Sequence, residues 1–149
     1  MIELPATIRP RFVVAGWYPD RHANIRFDHV ENLRSFSMAA QILFAFGGLS
    51  VGSTGPGRDS ACSDIYFHDA PSIDHRYAVA ELESPGDDLF PLGDAHLGHL
   101  ELFLDVHGRL IVYGVPDGAL SVAGKSFTEG VERLLLGYAF DHDSYKNVE

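Results

Sequence analysis

The hydrophobic period of the chain changes at Gly47-Gly48, and this change constrains the fold more than any other feature. Before it, Val30, Leu33, Phe36, Ala40 and Leu43 recur at helical spacing while Arg34, Ser37 and Gln41 form a polar stripe, so one face of a helix must be buried. The run Asp28-x-x-Glu31 has the form of a capping box that starts this helix, with Asp in place of the usual Ser or Thr, and Gly47-Gly48 stops it. After it, short β-type runs are separated by Gly, Pro and Asp, the pattern of strands joined by turns.

Two more helices flank this pattern. Residues 7–15 read as a short helix with Thr7 as N-cap, Pro10 in the first turn where its missing N–H costs little, and Gly16 as the stop. Near the other end, Ser126-x-x-Glu129 is a second capping box, followed by Phe127, Val131, Leu134, Leu135 and Tyr138 at helical spacing. Strands are expected near 49–52, 64–68, 77–83, 99–105 and 109–115, with a weaker one near 89–92. In the clearest pair, 99–105 and 109–115 are joined by Val106-His107-Gly108. Leu100, Leu102 and Leu104 then alternate with Glu101, Phe103 and Asp105, which sends the leucines to the core and the two acids outward.

The order helix, helix, strands, helix predicts a single α+β domain over residues 1–140, with a mainly antiparallel sheet covered by helices on one side. The other face of the sheet is then available to a partner. Residues 141–149 are polar and aperiodic, and read as a loose tail. A chain of 149 residues that is 46% hydrophobic can fill one core but not two.

Charge narrows the classes of partner. The formal net charge of -10 opposes a general affinity for nucleic-acid phosphate or an anionic membrane. The acid is unevenly placed: residues 1–60 hold six Arg against five Asp and Glu, whereas residues 61–149 hold five Lys and Arg against 16 Asp and Glu. Glu81, Glu83, Asp87, Asp88, Glu101 and Asp105, with Asp94 among them, are the candidates for a negative surface that attracts a basic protein over about 10 Å. The plainer alternative is that they are the solvated residues of an acidic protein. The single cysteine, Cys62, forms no internal disulfide, and no signal-like segment opens the chain, so a cytoplasmic location is expected. No run reaches the roughly 18 to 20 apolar residues of a membrane-crossing helix.

The chemical motifs are thin. Gly52-Ser53-Thr54-Gly55-Pro56-Gly57 has the glycine spacing of a phosphate-binding loop, but Arg58 and Asp59 follow where Lys and Ser or Thr belong, so a tight turn explains it better. Asp94-x-His96-x-x-His99 is the best metal candidate, with His68-Asp69 and Asp74-His75 behind it, yet the spacing does not lie on one helical face. Cys62 has no motif to activate it, and the acid pairs Glu81/Glu83 and Asp87/Asp88 define no active site without a shared buried cleft. Trp17, followed by Tyr18, is expected to plug the joint between a helix and the sheet.

The segment Val14-Ala15-Gly16-Trp17-Tyr18-Pro19-Asp20-Arg21 resembles the helix-ending Ala-Gly-Trp-x-Pro-x-Arg signature of the third family of SUKH-superfamily proteins, bacterial immunity proteins of polymorphic toxin systems. Further landmarks follow in the same order: Phe46-Gly47-Gly48-Leu49-x-Val51, Gly55-Pro56-Gly57, the strand 64–68, Pro91-Leu92-Gly93 and Asp105-x-x-Gly108-Arg109. Pro10 within the first helix departs from the pattern. The resemblance implies a non-enzymatic α+β domain, without cofactor, that binds and neutralises a cognate toxin; toxins associated with the superfamily are varied, nucleases and nucleic-acid deaminases among them, so the resemblance does not name the toxin, and a monomer or weak dimer is expected. It also implies mainly structural roles for the motif residues. Two other readings stay open: a protein-interaction adaptor of the same fold, and a small metal-dependent enzyme centred on Asp94, His96 and His99.

Overall fold

The computed structural model describes residues 2–27, 37–72, 89–114 and 119–140. Helix α1 (Arg9–Ala15) and helix α2 (Ser37–Phe46) precede β1 (Ser50–Val51), β2 (Gly55–Pro56), β3 (Ala61–Cys62), β4 (Ile65–Phe67), β5 (Leu89–Ala95), β6 (Leu100–Asp105), β7 (Leu110–Gly114) and β8 (Ala119–Gly124); helix α3 (Phe127–Leu136) follows. Six strands form an antiparallel sheet in the order β1-β4-β5-β6-β7-β8, and β2 and β3 make a separate hairpin. This is the α+β architecture expected from the order of hydrophobic periods.

The helix ends follow local chemistry. Gly16 adopts φ 114°, and the N–H groups of Gly16 and Trp17 close on the carbonyls of Val13 and Phe12. Ser126 caps α3 by accepting from the Glu129 N–H at 3.2 Å, while the Glu129 side chain pairs with Arg133 instead of completing the box. Gly137 ends α3 at φ 70°, so Tyr138 lies beyond the helix and not on its face. At α1 the N-cap position is Ile8 and not Thr7, because the Thr7 hydroxyl is hydrogen-bonded to Glu132 of α3. The expected start of α2 at Asp28-x-x-Glu31 and the expected strand at 77–83 lie outside the described residues.

One face of the sheet carries the main core. Leu102, Leu104, Leu110, Val112, Ile65, Phe67, Phe90 and Leu92 pack there against Phe12 of α1, Ile42, Leu43 and Phe46 of α2, and Val131, Leu134 and Leu135 of α3. Four phenylalanines tie the layers together. Phe46 lies 4.8 Å from Phe12, 5.5 Å from Phe67 and 5.9 Å from Phe127 between ring centroids, so α1, α2, β4 and the start of α3 meet at one point. Helix α3 approaches β8 closely, because a Cβ on Gly124 would stand 2.3 Å from the Gly130 nitrogen and one on Gly130 would stand 2.6 Å from the Leu110 side chain.

The opposite face, expected to be available to a partner, has an apolar cluster of its own. Leu89, Phe103, Ile111, Tyr113, Leu120 and Val122 form a second buried apolar cluster there. Phe103 and Ile111 alternate with Leu102 and Val112 along β6 and β7, so both faces of these strands are apolar at their centre. The strand β8 was not anticipated, and β5 is longer than its weak signal suggested. Pro91 is tolerated in β5 because the register shifts between Pro91 and Gly93 and β4 pairs only with residues 93–95.

Candidate functional site

The family-type motifs converge on the scaffold. The Arg21 guanidinium donates to the Ala45 carbonyl at 2.8 Å and the Gly47 carbonyl at 2.9 Å, so the loop after α1 caps the C-terminus of α2, where the helix dipole favours a cation. Trp17 packs on Phe46 with ring centroids 6.4 Å apart, and the Arg9 guanidinium lies 5.0 Å above the indole. Trp17 therefore lies at the joint between α1 and α2, packed against the main core. Gly47 has no room for a side chain, since its Cβ would meet Ile25 at 2.2 Å. Gly48 continues the chain at φ 84°.

The Gly55-Pro56-Gly57 motif opens the β2-β3 hairpin, whose turn closes onto the end of α3. The N–H of Arg58 donates to the Leu136 carbonyl, and those of Asp59 and Ser60 to the Gly137 carbonyl. These backbone donors are consumed by helix capping, which leaves no phosphate cradle. Gly93 crosses β4 so closely that a Cβ would stand 1.9 Å from the Tyr66 carbonyl oxygen. Gly108 turns the β6-β7 hairpin at φ 84°.

The acids are less uniform than their sequence suggests. Asp105 is only 2% exposed, although alternation placed it outward. Its Oδ1 accepts from the backbone of His107 at 3.0 Å and Arg109 at 2.8 Å, and its Oδ2 accepts from Arg109 Nε at 2.5 Å. The Asp105-x-x-Gly108-Arg109 motif is thus a self-satisfied turn. A carboxylate held this way is not a free docking group. Glu81, Glu83, Asp87 and Asp88 lie outside the described residues.

Glu101 is half-buried, and among the described residues it is the remaining acid of the candidate set. It stands opposite Asp94 on β5 and Tyr113 on β7, and Asp94 in turn stands opposite Tyr66 on β4. The row Tyr66, Asp94, Glu101, Tyr113 crosses four strands on the face away from the main core. Glu101 Oε2 is buried without a hydrogen-bond partner. Burial, and then the neighbouring Asp94 charge, push the Glu101 carboxyl above the usual carboxylate range. Burial together with Asp69 and Asp94 likewise raises the Tyr66 phenol.

The metal candidate does not assemble. Among the described residues, no group of His, Cys, Asp and Glu is placed to hold an ion. His96 and His99 lie on the β5-β6 turn with ring centroids 6.3 Å apart, and His96 Nδ1 is 3.2 Å from the Ser63 hydroxyl. Cys62 Sγ approaches the Ser53 carbonyl at 3.3 Å, so the thiol is engaged with backbone and not with a base. Among the described residues no helix is long and apolar enough to cross a membrane.

Among the described residues, an antiparallel meander carries three helices on one face, with Arg21 capping α2 and close-packed glycines at the element joints, an arrangement consistent with the SUKH fold. The family model of the SUKH-3 immunity proteins matches residues 5–137, and the chain belongs to that family. No curated protein and no solved structure gives a significant match.

Proposed function

We propose that this chain is a non-enzymatic immunity protein that binds a cognate toxin domain and neutralises it by covering its active site. The observation that carries this reading is the immunity-family match over residues 5–137. Charge supports the kind of partner: the 16 acids after residue 60, against five basic residues, suit a toxin whose surface is basic because it handles nucleic acid, as a nuclease or deaminase does. Location in the cytoplasm of the cell being protected fits the same reading.

Within the described residues, Glu101 and Asp94 are the acids we assign to the contact, with Glu81, Glu83, Asp87 and Asp88 completing it; Asp105 supports the adjoining hairpin. Stoichiometric occlusion requires no reacting group in the immunity protein, which accords with a scaffold whose recurring residues hold helix ends and turns. The test is association kinetics with the inactivated cognate toxin domain, sought among the open reading frames beside this gene. Glu101→Lys is expected to slow association several-fold at low salt and much less at high salt. An unchanged association rate at low ionic strength removes Glu101 from the interface, and absence of any complex with the wild type removes the immunity reading.

A further inference from the structure

The turn between β5 and β6 has a conformation that its sequence does not favour. His96 has φ 52° and Leu97 has φ 56°, the left-handed region in which a side chain with a Cβ is strained. The Gly98 N–H donates to the Ala95 carbonyl at 3.2 Å, so His96 and Leu97 are the two central residues of a tight hairpin turn. Asn-Gly is the pair best suited to such a turn. Leu97 is nevertheless 72% exposed, and its side chain gains little from packing.

The strain is held from β4. The His96 N–H donates to the Asp64 carbonyl at 3.0 Å and the Leu97 N–H to Asp64 Oδ1 at 2.9 Å. The Ser63 hydroxyl lies 3.2 Å from His96 Nδ1, and the His99 N–H donates to the His96 carbonyl at 3.1 Å. A strained residue persists only where its surroundings over-determine it, and such residues concentrate at functional positions. Here the clamp fixes an apolar side chain in solvent, which is the arrangement of a pre-organised binding anchor.

We propose that Leu97 is the anchor of the toxin contact, presented by a rigid turn to an apolar socket on the toxin domain. The proposal rests on the immunity reading and deepens it. Charge sets the character of that socket. Asp94 and Glu101 pair across the strands one residue pair before the turn, so the socket is rimmed by basic side chains. The turn supplies fit and the acids supply attraction.

Four proteins test this: the wild type, Leu97→Asn, Leu97→Ala and, as a control on α1, Val14→Ala, a residue 88% exposed. Each is titrated calorimetrically with the inactivated cognate toxin domain, melted thermally, and sedimented alone. Asn tolerates the left-handed region, so Leu97→Asn is expected to keep or raise the melting temperature, by up to about 3 °C, while affinity falls about tenfold or more. Leu97→Ala retains the fold and loses affinity similarly, and Val14→Ala binds as the wild type does. A wild type that binds while both Leu97 variants bind within about twofold of it overturns the anchor but leaves the immunity reading standing. So does self-association of the wild type that the Leu97 variants lose, which would make a second copy the occupant. A wild type that forms no complex overturns both.

Discussion

Arg21→Met removes a single guanidinium and, on the geometry above, two helix-capping hydrogen bonds. Arg21 reaches the Ala45 and Gly47 carbonyls at 2.8 and 2.9 Å from a half-buried position, and α2 carries no basic residue in its own last turn. A hydrogen bond involving a charged group contributes about 1.5–3 kcal/mol, and the dipole interaction adds about 0.3–1 kcal/mol. Water can reach a half-buried helix end and recover part of that loss, so the expected net destabilisation is about 2–3 kcal/mol. Against a total of about 5–15 kcal/mol this is a large fraction. It corresponds to a shift of roughly 1 M in the urea midpoint and a fall of about 6–10 °C in melting temperature for a domain of this size. Methionine keeps the apolar stem, so packing loss does not confuse the result. Arg21→Lys should fall between the two, because one ammonium does not reproduce the fork that spans both carbonyls. Equilibrium urea unfolding measures all three proteins. A change below about 0.5 kcal/mol for Arg21→Met would refute the capping argument and, with it, the structural explanation of the Trp-x-Pro-x-Arg motif.

Three further outcomes follow from the same geometry. Asp105→Ala should destabilise by about 2–4 kcal/mol in urea unfolding, since it strips three charge-assisted bonds from a buried turn; a change under about 0.5 kcal/mol would return Asp105 to the list of exposed acids. Gly130→Ala should cost about 1–3 kcal/mol despite the better helix propensity of alanine, because its Cβ would press on Leu110 of β7 at 2.6 Å; a more stable variant would contradict the close packing of α3 on β7. For Glu101 the raised carboxyl means that the folded chain holds this proton more tightly than the unfolded chain does. Its contribution to stability therefore grows as pH falls from above the raised value toward the ordinary carboxylate range, and Glu101→Gln should flatten that slope and stabilise the protein at neutral pH. Parallel stability-pH curves for the two proteins would refute this.

What was legible in the sequence was chiefly local. Gly16, Gly47-Gly48 and the Ser126 cap mark helix ends through backbone chemistry confined to a few residues, and these positions stand where they were expected. Asp105 was misplaced because strand alternation was applied up to the end of β6, where the Asp-x-x-Gly spacing already signalled a side chain folded back on its own turn. The buried outer face was also readable in principle. Phe103 alternates with the leucines between Glu101 and Asp105, and with Ile111 and Tyr113 on the neighbouring strand it puts three large apolar side chains on that face, which argue for a second covered surface. Strand β8 was hidden for a tertiary reason: Gly124 and its small neighbours exist to admit α3, and small residues give little strand signal. The strain at Leu97 had no sequence signature, since only the backbone angles of the folded turn reveal it.

The central claim is that this chain acts by stoichiometric binding. The most direct measurement titrates the active cognate toxin domain with this purified chain and follows residual toxin activity. The account predicts a linear loss that reaches completion at one immunity chain per toxin. Toxin inactivated by far less than an equimolar amount, or unaffected by an excess, would contradict it.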